Sequence, residues 1–160
     1  SKNRIEELTE QISIAQKEIS YLENVLLSIS QIETYDEISE IQDELAKQGY
    51  IRRMGNHKSK KETISSPMEF TSSDGTTILV GKNNTQNDRL TLKLSSPNDT
   101  WLHTKDIHGS HVILETKGAE YTDEDILTAA ELAAFYSKAR NPSHFNIRSS
   151  KFRFQTSLSV

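Results

Sequence analysis

The sequence predicts an α+β protein, with an N-terminal antiparallel coiled-coil arm followed by a small, mainly antiparallel sheet packed with one long helix. Three observations predict it. Apolar residues recur every three or four positions from Ile5 to Ile29. After Pro67 that period gives way to short alternating runs, and a capped, alanine-rich segment begins at Thr122. A 3.5-residue repeat, then a two-residue repeat, then a helical one is the order of an arm joined to an α+β domain.

The arm comprises residues 1–49. Ile5, Leu8, Ile12, Ala15, Ile19, Leu22, Leu26 and Ile29 form an a/d seam across nearly four heptads. One helix cannot bury such a seam alone. The expected partner is a preceding helix, with residues 1–30 as the second leg of a longer coiled coil; a homodimeric zipper is the alternative. A second helix is announced by Thr34 with Glu37 three residues on, a capping-box spacing. Its apolar residues Ile38, Ile41 and Leu45 share a face, and Gly49 is placed to end it. Either this helix folds back on the first, or the pair continues with a kink.

Residues 50–66 read as a basic linker, with Arg52, Arg53, Lys58, Lys60 and Lys61 against a single acid, Glu62. Such a run serves either as a solvated hinge or as a strap for phosphates. Residues 67–160 form the strand-rich domain. Asp74-Gly75 marks a turn before the strand Thr76–Val80, and Gly81–Asp88 reads as a polar loop. Leu90–Leu94 fits a strand or a short helix. Thr100–Lys105 and His111–Lys117 read as strands around Gly109. Thr122 then caps a helix with three acids in its first turn and Ile126–Lys138 as its body. Leu127, Ala130 and Ala134 mark its buried face, and the small residues Ala129, Ala130, Ala133 and Ala134 let it approach the sheet.

Composition narrows the function classes. The chain has 160 residues, no cysteine and a net charge of −4. Disulfides, thiol catalysis and cysteine-ligated zinc are excluded. Residues 1–50 hold 4 bases and 11 acids, whereas residues 51–160 hold 15 bases and 12 acids. An acidic arm and a mildly basic domain point to different partners. No apolar run approaches the ~20 residues needed to span a bilayer. The first residues do not resemble a signal peptide, and an intracellular setting is expected.

Chemistry-bearing residues gather in two blocks. The amides of Lys82–Arg89 can shape a turn, or they can donate with Lys82 and Arg89 to phosphates and base edges. In the second block, an extended Asp99–Lys105 places Asp99, Trp101 and His103 on one face, with His111 beyond Gly109-Ser110. A metal site from His103, His111 and Asp99 has ligands of the right type at a spacing that matches no metal motif. A hydrolase pairing Ser110 with His103 lacks a nucleophile-elbow signature. A non-catalytic surface, with Trp101 and the imidazoles for stacking and Lys82, Arg89 and Lys105 for charge, suits unpaired RNA. Alternatively Trp101 is core, and Asp99 caps or orients His103.

Gly81-Lys82-Asn83-Asn84-Thr85-Gln86-Asn87-Asp88, Asp99-Thr100-Trp101-Leu102-His103, Gly109-Ser110-His111-Val112-Ile113 and Ala129–Arg140 occur in an order and spacing that resemble the NFACT-R domain. This is the RNA-binding module near the C-terminus of NFACT proteins. The resemblance implies a factor that binds obstructed large ribosomal subunits carrying peptidyl-tRNA and supports untemplated alanine tailing of the stalled chain. Its partners would be the large subunit, rRNA, tRNA and the N-terminal part of the same protein that supplies the other coiled-coil leg. Its setting would be the cytoplasm, on the ribosome. The ribosome would make the peptide bond, so the resemblance implies no catalytic residue, metal or cofactor. The RNA-facing candidates it carries over are Asn84, Asn87, Asp99, Trp101, His103, Ser110 and His111. Streptococcal relatives are also described as fibronectin-binding, so an adhesin module displayed by an unconventional route is the rival reading. Two departures stand out. The N-terminal half tied to tailing is absent, and residues 141–160 do not follow the family pattern, although Lys151–Leu158 alternates enough to serve as an edge strand.

Overall fold

In the computed structural model the described residues are 2–52, 65–117, 119–138 and 154–157. Helix α1, Lys2–Ser30, runs the length of the arm. Thr34 then opens α2, Tyr35–Lys47, through the expected capping box with Glu37. Beyond α2, Gly49 takes φ +83°, the left-handed conformation that glycine reaches without a Cβ penalty. Helix α2 folds back on α1. Tyr50 stacks on Tyr21 with ring centroids 5.6 Å apart, and its hydroxyl donates to Glu18 at 2.9 Å.

The fold-back does not use the predicted seam. Ile5, Leu8, Ile12, Ile19 and Leu26 remain 50–68% exposed. In the last turns of α1 the buried residues are Val25 and Ser28, which lie on a neighbouring stripe. On α2 the buried stripe is Glu37, Glu40, Ile41 and Glu44, so most of it is carboxylate.

The domain is a sheet of β1 (Met68–Thr71), β2 (Thr77–Val80), β3 (Thr100–Thr104), β4 (Val112–Leu114) and β5 (Phe154–Ser157). The strand order is β1-β2-β4-β3-β5, and every neighbouring pair is antiparallel. Strand β1 had no expectation attached to it. Strand β5 falls within the alternation of Lys151–Leu158 and takes the edge beside β3, with Leu102 opposite Thr156.

Helix α4, Asp123–Phe135, covers one face of the sheet. Its N-terminus carries a capping box between Thr122 and Asp125. Ala129, Ala130 and Ala133 pack on Ile78, Val80, Leu102, Val112 and Leu114. Burying each of these branched side chains contributes about 1.5–3 kcal/mol. Small residues on the helix let it sit close enough to exclude water from all of them.

Three expectations need correction, and one open alternative is resolved in favour of a short helix. Leu127 is 42% exposed, because the alanine stripe, rather than Leu127, faces the sheet. Helix α4 stops at Phe135 rather than running to Lys138. There the backbone leaves to bridge β3's flank, with Ser110 N donating to Tyr136 O at 3.1 Å and Lys138 N to His108 O at 2.8 Å. A Cβ on Gly109 would lie 2.9 Å from Ser137 Cβ, so this crossing requires glycine. The polar run expected as a loop contains helix α3, Asn84–Arg89. Asn83 accepts from Gln86 N at 2.9 Å, while Gln86 Oε1 accepts from Lys82 N at 3.0 Å, so the amides themselves cap the helix. Finally, the ambiguous Leu90–Leu94 is a π-helical turn, closed by Ser95 N donating to Leu90 O at 2.9 Å.

Candidate nucleic-acid interface

The two polar blocks have different neighbours. The first, around α3, is met by the acidic stripe of α2. Lys82 Nζ donates to Glu37 Oε1 at 2.5 Å. Glu40 Oε2 accepts from Asn83 Nδ2 at 2.6 Å and from Gln86 Nε2 at 3.1 Å. Glu44 Oε1 accepts from Asn84 Nδ2 at 2.8 Å, and Asn84 Oδ1 accepts from Asn24 Nδ2 on α1. Residues 37, 40 and 44 share one face of a helix because they stand three and four apart. Burial opposes charge on Glu37, but backbone N–H bonds at Glu33 and Thr34 and the Lys82 ammonium outweigh it. Its carboxyl therefore titrates below the usual range.

A second contact joins arm and domain. Glu23 on α1 accepts from Lys138 Nζ at 2.7 Å and lies 3.2 Å from His108 Nε2. The hydrogen bond from Lys138 is the main reason its carboxyl titrates low. The arm is thus fixed to the domain by carboxylates of its own helices, at the segment that follows β2 and at the chain just past α4.

The second block is an aromatic corner. Alternation along β3 buries Thr100, Leu102 and Thr104 under α4 and leaves Trp101 and His103 half-buried on the opposite face. Their rings lie 8° from parallel with centroids 5.9 Å apart. His111, just ahead of β4, stands nearly perpendicular to both, at 5.2 Å from each. These separations are those of attractive offset and edge-to-face ring pairs. Trp101 Nε1 is buried with no acceptor among the described residues, so the indole edge belongs to the wall of the corner.

His111 is held tightly. Its backbone N–H donates to Asn87 Oδ1 at 3.0 Å, and its carbonyl accepts from Gly81 N at 3.0 Å. A Cβ on Gly81 would sit 2.1 Å from Asn87 Oδ1. Glycine at 81 and asparagine at 87 are therefore one device that presents residue 111. Burial, and next the neighbouring His103, push the His111 imidazole down to about 4. Burial also lowers His103, against a ring hydrogen bond to the Gly109 carbonyl. Both rings are neutral at pH 7.

The structure sorts the sequence candidates accordingly. Trp101, His103 and His111 come together. Lys82, Asn84 and Asn87 have their polar groups engaged within the chain, as described above. Asp99 is buried and accepts from Ser96, Thr116 and Lys117 backbone N–H groups, so it organises the turns at one end of β3 rather than His103. Ser110 is buried at the α4 crossing. Arg89 is half-buried at the end of α3, and Lys105 is exposed at the end of β3. Arg52 is exposed, while Arg53, Lys58, Lys60 and Lys61 lie outside the described residues. Among the described residues no group of three His, Asp or Glu side chains could hold a metal.

Sequence reasoning missed Glu23, Glu37, Glu40, Glu44, His108 and Thr91. The i, i+3, i+7 spacing of the three glutamates on α2 was the available signal.

Known proteins share this arrangement. The "NFACT N-terminal and middle domains" description matches residues 1–63, and the "NFACT protein RNA binding domain" matches residues 66–149. A Bacillus subtilis protein described as "Rqc2 homolog RqcH" is 39% identical over 155 residues, covering 96% of this chain and 27% of that protein. Its Streptococcus suis counterpart is 43% identical over 141 residues, covering 88% and 25%. The chain spans about a quarter of these relatives. A solved structure of the C-terminal part of the Streptococcus suis fibronectin/fibrinogen-binding protein superposes with a TM-score of 0.82. It is 38% identical, over 99% of this chain and 60% of that one. The chain belongs to the NFACT family, and residues 66–149 match that family's RNA-binding domain.

Proposed function

We propose that this chain is the arm and RNA-contacting part of a cytoplasmic factor that binds obstructed large ribosomal subunits carrying peptidyl-tRNA and supports alanine tailing of the stalled chain. The observation that carries the reading is the corner of Trp101, His103 and His111. Aromatic planes on a sheet face suit the splayed bases of unpaired RNA, because every base has a π-face. The exposed Lys105 stands in the turn just past that strand, and Arg52 leads from the arm toward the basic run. The ring corner and the family membership support contact with rRNA or tRNA; the peptide bond itself is assigned to the ribosome, and no residue here to catalysis.

Binding of a fluorescein-labelled single-stranded RNA, followed by anisotropy across a salt series, tests this. The observed affinity should fall with a log-log slope of about −0.7 per phosphate contacted. Trp101→Ala should weaken binding by about 1–3 kcal/mol if the indole stacks on a base. Unchanged affinity with a lowered melting temperature would make Trp101 a core residue and overturn the site.

A second reading draws on the Streptococcus suis relative, which is described as fibronectin/fibrinogen-binding. Capture on immobilised fibronectin, insensitive to salt and without RNA binding, would favour an adhesin module over the ribosomal one.

A further inference from the structure

The aromatic corner has a chemical polarity of its own, and this inference rests on the RNA reading of that corner. Thr91 Oγ1 lies 2.8 Å from His111 Nδ1 and 3.0 Å from the Asn87 carbonyl. The threonine hydroxyl has one proton. If it donates to Asn87 O, then His111 Nδ1–H donates to Thr91 Oγ1, and the group makes two hydrogen bonds. If it donates to Nδ1 instead, only one is made. The two-bond arrangement favours the proton on Nδ1, since the partner of one ring nitrogen fixes the tautomer of both. His111 is neutral, so Nε2 then carries a lone pair. It has no partner among the described residues and is not among the buried, unpartnered polar atoms.

We infer that His111 Nε2 is a fixed hydrogen-bond acceptor in the corner of Trp101 and His103, and that it selects an uncharged donor on the nucleotide bound there, either an exocyclic base amine or a ribose 2′-hydroxyl. A base continuing the Trp101–His103 stack brings its own edge and its sugar toward the perpendicular ring. A phosphate offers His111 no proton and is left to the lysine and arginine side chains. The device is assembled from three turns of chain. Gly81 and Asn87 hold the backbone of residue 111, and the π-helical turn at Leu90–Leu94 delivers Thr91 to its ring.

Two measurements on the full chain test it. Nitrogen-15 NMR of the histidine-labelled protein reads the tautomer directly. His111 should show a protonated Nδ1 and a bare Nε2, and Thr91→Val, which keeps the side-chain shape, should release that preference. Anisotropy with short oligoriboadenylate, oligodeoxyadenylate and oligo(purine riboside), which lacks the exocyclic amine, reads the donor. Losing the selected donor should weaken binding about two- to tenfold, the worth of one hydrogen bond. The weakened strand identifies the amine or the hydroxyl, and His111→Phe should erase the difference by weakening oligoriboadenylate to the level of the strand that lacks the donor. An Nε2–H tautomer, or equal affinity for all three strands, overturns this inference and leaves RNA binding standing. Failure to bind any strand, with the Nδ1–H tautomer confirmed, overturns the RNA reading and the selection built on it.

Discussion

Gly81 and Asn87 stand six residues apart in the chain yet hold the same residue, Gly81 at the carbonyl of His111 and Asn87 at its N–H. The asparagine side chain lies over the glycine and holds residue 111 through its backbone N–H. Gly81→Ala should therefore destabilise the domain by about 1–3 kcal/mol, a cost of overpacking, and should blunt RNA binding by displacing His111. Urea denaturation with far-ultraviolet circular dichroism checks the first effect. The imidazoles supply a second prediction. His103 and His111 titrate below the ordinary histidine value, so between about pH 4 and 6.5 the unfolded chain binds more protons than the folded one. Their stabilising contribution is whole above pH 6.5 and is lost as the pH falls toward 4. Urea midpoints measured from pH 4.5 to 7 should rise with pH, and His111→Phe should flatten part of that rise. At this scale the sequence was half legible. Strand alternation put Trp101 and His103 on one face, but nothing local says that Asp99 turns inward or that Thr91 meets His111 across a helix.

Helix α3 marks where local reasoning failed at the level of elements. Asparagines and a glutamine read as a turn because each can bond its own backbone. Here those same bonds, Asn83 to Gln86 N and Lys82 N to Gln86, cap a helix whose remaining amides are taken by α2, by Asn24 of α1 and by the backbone of His111. The competition between turn and helix is decided by tertiary partners 40 or more residues away. The same holds for α2. Its capping box was legible, since it is written in neighbouring residues, but its buried carboxylates were not, because glutamate at helical spacing usually faces water. Glu40 makes the test. Glu40→Ala removes the acceptor of Asn83 Nδ2 in a buried setting and should cost about 1–3 kcal/mol, whereas Glu40→Gln keeps an acceptor oxygen and should cost less. Thermal melts of the two variants compare them.

Across the whole molecule, an acidic two-helix arm is held against a domain whose sheet face opposite α4 carries the aromatic corner. The arm's contacts at Lys82–Gln86 and at Lys138 fix its direction relative to that corner. The heptad seam of α1 stays uncovered, in keeping with a helix that expects another beside it. The fold class and the arm were readable because periodicity is a property of the segment itself. The docking of arm on domain was not, since it depends on side chains meeting from both. The measurement that bears most directly on the central claim is co-sedimentation of the chain with purified large ribosomal subunits across a salt series, alongside Trp101→Ala. Pelleting that weakens steeply with salt and is reduced by Trp101→Ala is the predicted result. Pelleting that ignores salt and the substitution alike, or no pelleting at low salt, would contradict it.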